Sequence, residues 1–527
     1  MKVSKINRFY FIISYLIIGI LVVSFFSVGM EVNHMDFMNS DTMYMPSIYK
    51  DLIEDGHSIE GWMFNSAPNF FPEMLIYFVV RFFSGDFLTA NMVYGLVQVW
   101  IIMGLVNLIF KSLIPDRHII ISTYANLLFS ICFLIIHYAD VIDVPFYLTT
   151  TAYHTGAFMM QLSSIYLLIE LSKSYNRSKL ITLFIISLLT VFSDKIFIFY
   201  FSVPSLVLAL SYLLKRKRKL ALQFSFVCVG PVLLGILLFN LLKSSYYIRF
   251  ISPPKNLGFQ SSLDSLSVMK SQFFEYLLAY DLRSVFVFFA CLSFIMIIVI
   301  AIKEMRKSFL SPGLRFYFLF ILINSLLVTL VPIVAGNYIG YDTLRYNITV
   351  LYLLLFTLPL GIHILFKGWV RMVYPSWIKD LTLSVLAISL AIIGKINLDL
   401  DGLNSYLNYY PDNVRRMDEI AKKEGLKKGI GGYWSSHYIT MLSRENIRIY
   451  PSYPDLTPYF HSVNTSLYFD DEAVFDFVLL DRYMDQESYG NLLNSKGEIL
   501  PYEGTKVVKF PKFRFDKENK QPYFIDR

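Results

Sequence analysis

Long apolar runs separated by short basic clusters constrain this chain more than any other feature. A run of ~18 or more apolar residues reads as a membrane span, and such runs recur up to about residue 396. Of the 527 residues, 55% are hydrophobic and 17% are charged, where a soluble globular chain carries about a quarter charged residues. Beyond residue 396 the composition turns ordinary. The pattern predicts an α-helical polytopic membrane protein with about eleven transmembrane helices, near 9–29, 88–110, 118–138, 153–171, 180–193, 196–214, 220–242, 284–302, 315–335, 346–366 and 378–396. The apolar run after Met1–Arg8 resembles a signal peptide but reaches about Met30 without a convincing small-residue cleavage site. It reads as an uncleaved first span.

Charge placement sets the orientation. With the N-terminus inside, every inner segment is basic: Lys2, Lys5 and Arg8; Lys111 and Arg117; Lys173, Arg177 and Lys179; the cluster Lys215-Arg216-Lys217-Arg218-Lys219; Lys303, Arg306 and Lys307; Lys367, Arg371 and Lys379. The short outer loops are acidic or mixed, with Asp140 and Asp143, Asp194 and Lys195, and Asp342 and Arg345. This positive-inside bias and an odd span count place residues 397–527 outside, as a small extracytoplasmic α/β domain. Residues 1–396 form the transmembrane region, with long outer loops at 30–87 and 243–283. In the first loop, Tyr44–Asp55 and Phe70–Phe83 read as amphipathic helices on the membrane surface. In the C-terminal domain, Val414–Glu424 reads as a helix ending at Gly425, and Phe475–Leu480 and Lys506–Phe510 as strands. The net charge of +7 follows from the basic loops, so it argues for a membrane-lipid setting and no nucleic acid. The three cysteines, Cys132, Cys228 and Cys291, all lie in apolar runs and imply neither disulfides nor a thiolate metal site.

An ionisable group in or beside the membrane is costly and reads as functional. Four places carry such groups. Asp36 and Asp41 lie just past the first span; a carboxylate there can act as a general base on a hydroxyl, although Asp41 also suits a helix N-cap. Glu73 follows Pro68 and Pro72, which mark a helix entry. Asp194 and Lys195 sit between two spans, where Lys195 can meet a phosphate, pair with Asp194 or snorkel to the headgroups. Arg345 and Tyr346 open the tenth span, where an Arg suits bidentate phosphate binding and an Arg-Tyr pair also suits an interfacial anchor. His154 and His137 have no ligand spacing with another His or Asp, which argues against metal binding. P-loop, dinucleotide-binding and HExxH patterns are missing from the sequence. In the C-terminal domain, Tyr433, Trp434 and His437 form an aromatic, polar cluster that suits a turn with core aromatics first and acceptor binding second.

Together these pieces resemble the GT-C superfamily of membrane glycosyltransferases, which includes protein O-mannosyltransferases and lipid A aminoarabinose transferases. Asp41-Thr42-Met43-Tyr44 is similar to the superfamily's first-loop Asp and aromatic, with Thr42 where a second acid is frequent. Phe71-Pro72-Glu73-Met74-Leu75 resembles the Pro-rich helix that follows, Ser193-Asp194-Lys195 a mid-chain Ser/Thr-Lys span start, and Arg345-Tyr346 a late Arg-Tyr opening. The resemblance implies an inverting transfer of a hexosyl or pentosyl group from a polyprenyl-phosphate carrier to a cell-envelope acceptor, a glycan, lipid or protein. It implies Asp41 as the base, with Asp36 its nearby substitute. It assigns the donor phosphate to Lys195, Arg345 and Tyr346, with Arg249 in reserve, and leaves Glu73, His154, Asp194 and Trp434 as candidates for substrate contact. Some members need a divalent cation such as Mg or Mn and others do not; the missing second acid favours no metal. Three other classes fit a polytopic chain: a lipid-linked-glycan flippase or transporter, a surface-polysaccharide polymerase or ligase, and a membrane scaffold. A flippase asks for charges deep in several spans, whereas here they gather at outer boundaries. A polymerase or ligase usually carries its long outer loop late in the chain.

Overall fold

The computed structural model describes residues 5–139, 141–214, 218–245, 247–251, 258–366, 376–470, 473–480, 497–500 and 506–525. Of the residues that set the predicted orientation, Lys2, Lys215, Arg216, Lys217, Lys367, Arg371 and Asp140 lie outside them. The chain divides into two compact units. One comprises residues 1–32, 69–239 and 254–404; the other comprises 33–68, 240–253 and 405–527.

The first unit is helical. Among the described residues, seven helices are long and apolar enough to cross a membrane: Lys5–Val32, Phe87–Leu113, His118–Ala139, Ala221–Ser244, Leu282–Lys307, Pro312–Val334 and Ile348–Leu365. This is a multi-pass integral membrane protein. Helices also occupy the other four predicted places, at Thr155–Lys173, Arg177–Ser193, Val203–Leu214 and Ser376–Asn397, but each is shorter or less apolar. Thr155–Lys173 has a local reason. Its Gln161 is buried and donates to the Tyr200 carbonyl at 2.9 Å. A helix enclosed by protein rather than lipid tolerates such a side chain because its polar groups find partners. Caps set several boundaries. The Asp86 carboxylate accepts from Thr89 N at 2.8 Å ahead of Phe87–Leu113, and Ser311 precedes Pro312 at the first helical turn, where a missing N–H costs nothing. Helix Leu75–Phe83 exposes Leu75, Val79, Phe82 and Phe83. These positions repeat at helical spacing and form the apolar stripe expected of a surface-lying helix.

The second unit is built on a mixed sheet. Two short strands, β1 (Met63–Phe64) and β2 (Arg249–Phe250), pair in parallel. The main sheet contains β3 (Lys428–Gly431), β4 (Arg448–Pro451), β5 (Phe475–Leu480), β6 (Glu498–Ile499), β7 (Lys506–Phe515) and β8 (Pro522–Phe524). Its order is β4-β3-β5-β7-β6, with β8 also on β7. β3 runs parallel to both neighbours, and β7 runs antiparallel to β5, β6 and β8. Helix Asp412–Glu424 ends at Gly425 in the left-handed region, φ 71°, a conformation glycine adopts without steric penalty. On β3, a Cβ at Gly429 would collide with the Phe477 ring, so glycine is what lets the two strands close. Ile430, Tyr450, Tyr468, Phe475, Val508 and Phe513 fill the core.

Residues 33–68 fold with this sheet. The helix predicted over Tyr44–Asp55 exists as Tyr44–Tyr49 continued by a wider turn over Lys50–Glu54. It differs from a membrane-surface helix in that all of Tyr44–Tyr49 is buried in protein. The segment is fastened by charge. Arg448 on β4 pairs with Asp51 at 2.8 Å and with Asp55. The Arg448 and Asp51 side chains are only 16% and 10% exposed, so each charge depends on the other. Removing one member of a buried pair costs about 3–5 kcal/mol. Arg448→Ala should therefore lower the thermal midpoint of the purified chain and speed proteolysis near Gly56. Asp51→Asn combined with Arg448→Met should recover most of that loss. A single variant as stable as wild type would show that the pair does not fasten the segment.

Candidate active site

In the first unit, the site is assembled from Phe70–Met74, the turn before helix Thr155–Lys173, the turn after helix Arg177–Ser193 and the short helix Tyr341–Tyr346. Asn69 adopts left-handed φ/ψ. Its amide, and that of Phe71, donate to the backbone and hydroxyl oxygens of Ser193 at 3.4 and 2.9 Å. This turns Glu73 inward, where it is 1% exposed. Its carboxylate accepts from Gly156 N at 2.7 Å and Ala152 N at 3.1 Å. Gly156 is required: a Cβ there would lie 2.5 Å from Glu73 Cγ. Burial drives the Glu73 carboxyl up to about 7, with the backbone donors opposing and the Asp194 charge reinforcing the shift.

His154 holds a left-handed conformation, φ 67°, and its Nδ1 meets Asp194 Oδ2 at 2.7 Å. The spacing in sequence makes this histidine look solitary; the fold corrects that by bringing Asp194 to it from 40 residues away. With Nδ1 engaged, Nε2 is the nitrogen left for a ligand. The His154 ring packs on Tyr346 at 5.4 Å between centroids. Arg345 lies over Tyr346 and Tyr153 at 5.4 and 6.0 Å. Its Nε is buried with no hydrogen-bond partner, and no carboxylate among the described residues forms an ion pair with it. Such a guanidinium, flanked by aromatic faces and paired with no described carboxylate, suits an anionic ligand. The Lys195 ammonium lies 3.5 Å from the Phe239 ring centroid.

The second unit holds the other predicted residues. Asp41 caps no helix: the N-terminal residue before Tyr44–Tyr49 is Met43, without a side-chain cap. Instead, Asp41 Oδ1 accepts from the Tyr433 hydroxyl at 2.9 Å. Tyr433 is fixed in turn by Ser40, whose hydroxyl donates to its carbonyl at 2.5 Å, and by edge-on contacts with His461, Trp434, Tyr459 and His437 at 4.7–5.7 Å. His461 and Tyr459 carry no motif, so sequence reasoning missed them. Burial pushes the His437 imidazole down to about 4 and lowers His461 in the same direction. Arg249 is on β2, in a cleft of about 490 Å³ shared with His57, Glu60, Ser466 and Asp470. The Asp36 side chain lies outside the described residues, as does that of Asp342. Asp51, Asp55 and His57 bring ligand atoms within 4.8 Å of one another, a spacing that could hold a metal ion. Arg448 already pairs with both carboxylates there, and Lys50 pairs with Asp55 at 3.4 Å, so the group fits an ion-pair anchor better than a cation site.

The Glu73 shift yields a pH test. The ordinary Glu value is 4.5 and the folded value is about 7. Within that window the folded chain holds a proton that the unfolded chain releases, so stability falls as pH rises from about 4.5 to about 7. Thermal midpoints across the window should show this fall in wild type and lose it in Glu73→Gln. Equal slopes in both proteins would place the titration elsewhere.

No protein-family model matches the sequence, and no curated protein matches it. A solved structure does share the fold: the crystal structure of ArnT from Cupriavidus metallidurans bound to undecaprenyl phosphate, with a TM-score of 0.53 and 11% identity. The match covers 93% of this chain and 96% of that one. The chain therefore has the fold of ArnT, a GT-C lipid A aminoarabinose transferase, across both its helical region and its C-terminal mixed sheet.

Proposed function

We propose that this protein is an inverting glycosyltransferase that moves a sugar from a polyprenyl-phosphate carrier to a cell-envelope acceptor. The observation that carries the reading is Arg345, a cation whose buried Nε has no hydrogen-bond partner and which no described carboxylate neutralises. A lipid phosphate supplies the missing charge and the acceptor oxygens. The ArnT fold supports the same ligand class, since that structure holds undecaprenyl phosphate. The remaining assignments belong to the proposal: eleven spans, an N-terminus inside, and a C-terminal sheet domain on the outer face.

Asp41 accepts the proton of the acceptor hydroxyl. The hydroxyl oxygen forms a bond to the anomeric carbon as the bond from that carbon to the phosphate oxygen breaks. The electron pair leaves with the lipid phosphate, and a single displacement inverts the anomeric centre. Arg345 stabilises the departing phosphate in a site of low dielectric, where charge–charge contacts count for more than in water. Tyr346 and Tyr153 flank the guanidinium, His154 packs on Tyr346, and Lys195 supplies a second cation. No nucleotide is required.

Loss of a general base typically costs about 10²–10⁴-fold. Asp41→Asn should lower transfer from radiolabelled polyprenyl-phosphate sugars by that factor while keeping the wild-type size-exclusion profile. Arg345→Ala should weaken donor use, and Arg345→Lys should restore it only in part, because a point charge replaces a planar fork. Full transfer by folded Asp41→Asn would move the base elsewhere; donor kinetics unchanged in Arg345→Ala would remove the phosphate assignment.

A further inference from the structure

The surroundings of Asp41 say something about the acceptor. Trp434, Tyr433, Tyr459 and Tyr453 form a continuous series of edge-to-face rings, with centroids 5.1, 5.6 and 4.8 Å apart. His461 stacks on Tyr459, with an interplanar angle of 8°. The two ends of the series are open to solvent: Trp434 is 41% exposed and Tyr453 49%. Both rings belong to the sheet unit and lie far in sequence from any predicted span. These open rings are continuous with Tyr433, whose hydroxyl bonds Asp41, and offer apolar faces with polar tips to a ligand.

We propose that this series is a saccharide platform, and that the acceptor is therefore a sugar hydroxyl of a glycan. The inference rests on the transferase reading above and narrows its acceptor. A pyranose ring presents an apolar C–H face and a rim of hydroxyls. The open Trp434 and Tyr453 rings match the face. Asp41 Oδ2, the Tyr459 hydroxyl and the His461 imidazole match the rim. A neutral imidazole offers one donor and one acceptor, as a hydroxyl does. A lipid acceptor asks for a continuous apolar groove, but here the rings are interrupted by phenol, imidazole and carboxylate groups. Tyr433 has a separate part. Its hydroxyl donates to Asp41 Oδ1 at 2.9 Å, which directs Oδ2 toward the acceptor. It is a positioning residue that the C-terminal region contributes to a carboxylate 392 residues away in the chain.

The test uses the full chain in lipid nanodiscs. An oligosaccharide pool released from cell-envelope polysaccharide serves as the probe, read by saturation-transfer NMR, beside sugar transfer to that pool, to a Ser/Thr-rich peptide and to a diacyl lipid. Wild type should saturate pyranose ring protons. The double variant Trp434→Ala/Tyr453→Ala, altered only at open positions, should lose binding by about tenfold or more and raise the acceptor KM without changing the donor KM. Tyr433→Phe should keep the binding and lower kcat about tenfold, as expected when a hydrogen bond to a charged group is lost. Equal saccharide binding by wild type and the double variant, or transfer to peptide or lipid in place of saccharide, would overturn the platform. A Tyr433→Phe variant with unchanged kcat would remove the positioning role. Saccharide binding that depends on Trp434 and Tyr453 but comes with no transfer from any donor would uphold the platform and overturn the transferase reading.

Discussion

One carboxylate organises the helical unit around its polar centre. Glu73 is almost fully enclosed and spends both oxygens on backbone amides, those of Ala152 and Gly156. A charged group at that depth is costly unless it is hydrogen-bonded, and its raised proton affinity registers the strain of burial. The contact joins the turn before helix Leu75–Phe83 to the turn before helix Thr155–Lys173. His154 stands between Ala152 and Gly156 and is thereby brought to Asp194 and Tyr346. Arg345 is next to Tyr346 in the chain, so the position of its guanidinium depends indirectly on the same contact.

The sheet unit solves a different problem. Its first-loop segment, residues 33–68, is too short to form a core of its own. It buries Tyr44–Tyr49 in protein and ties Asp51 and Asp55 to Arg448. The parallel β1–β2 pair adds residues 249–250 from the second long loop. A segment that carries a proposed base is thus held by the same sheet that supplies Tyr433. Burying the hydroxyl of Tyr433 against a carboxylate raises its own proton affinity well above the usual phenol range, so it stays a donor at any physiological pH.

Much of the layout was legible in the chain. Helices stand at all eleven predicted places, and strand Phe475–Leu480 has the predicted ends. Hydropathy and propensity are local properties, summed over a window of neighbours, and a window is all that such a prediction needs. Where the window average misled, a partner was responsible. Gln161 dilutes its helix because the Tyr200 carbonyl satisfies it, and Tyr44–Tyr49 looks like a membrane-surface helix because its protein cover lies distant in sequence. The candidate site was legible only as residue types beside short motifs. Asp41, Arg345 and Tyr346 stood out, while Tyr459 and His461 sit in a stretch without any signature.

The sequence by itself determined the membrane character, the order of the apolar helices, and which ionisable residues sit near the ends of those helices, because each of these follows from local composition. Only the tertiary structure decided how those residues pair. His154 with Asp194, Asp41 with Tyr433 and Asp51 with Arg448 join positions 40, 392 and 397 residues apart. Hydrogen bonds and ion pairs act over a few ångströms in space, and nothing in the order of residues along a chain reports that distance.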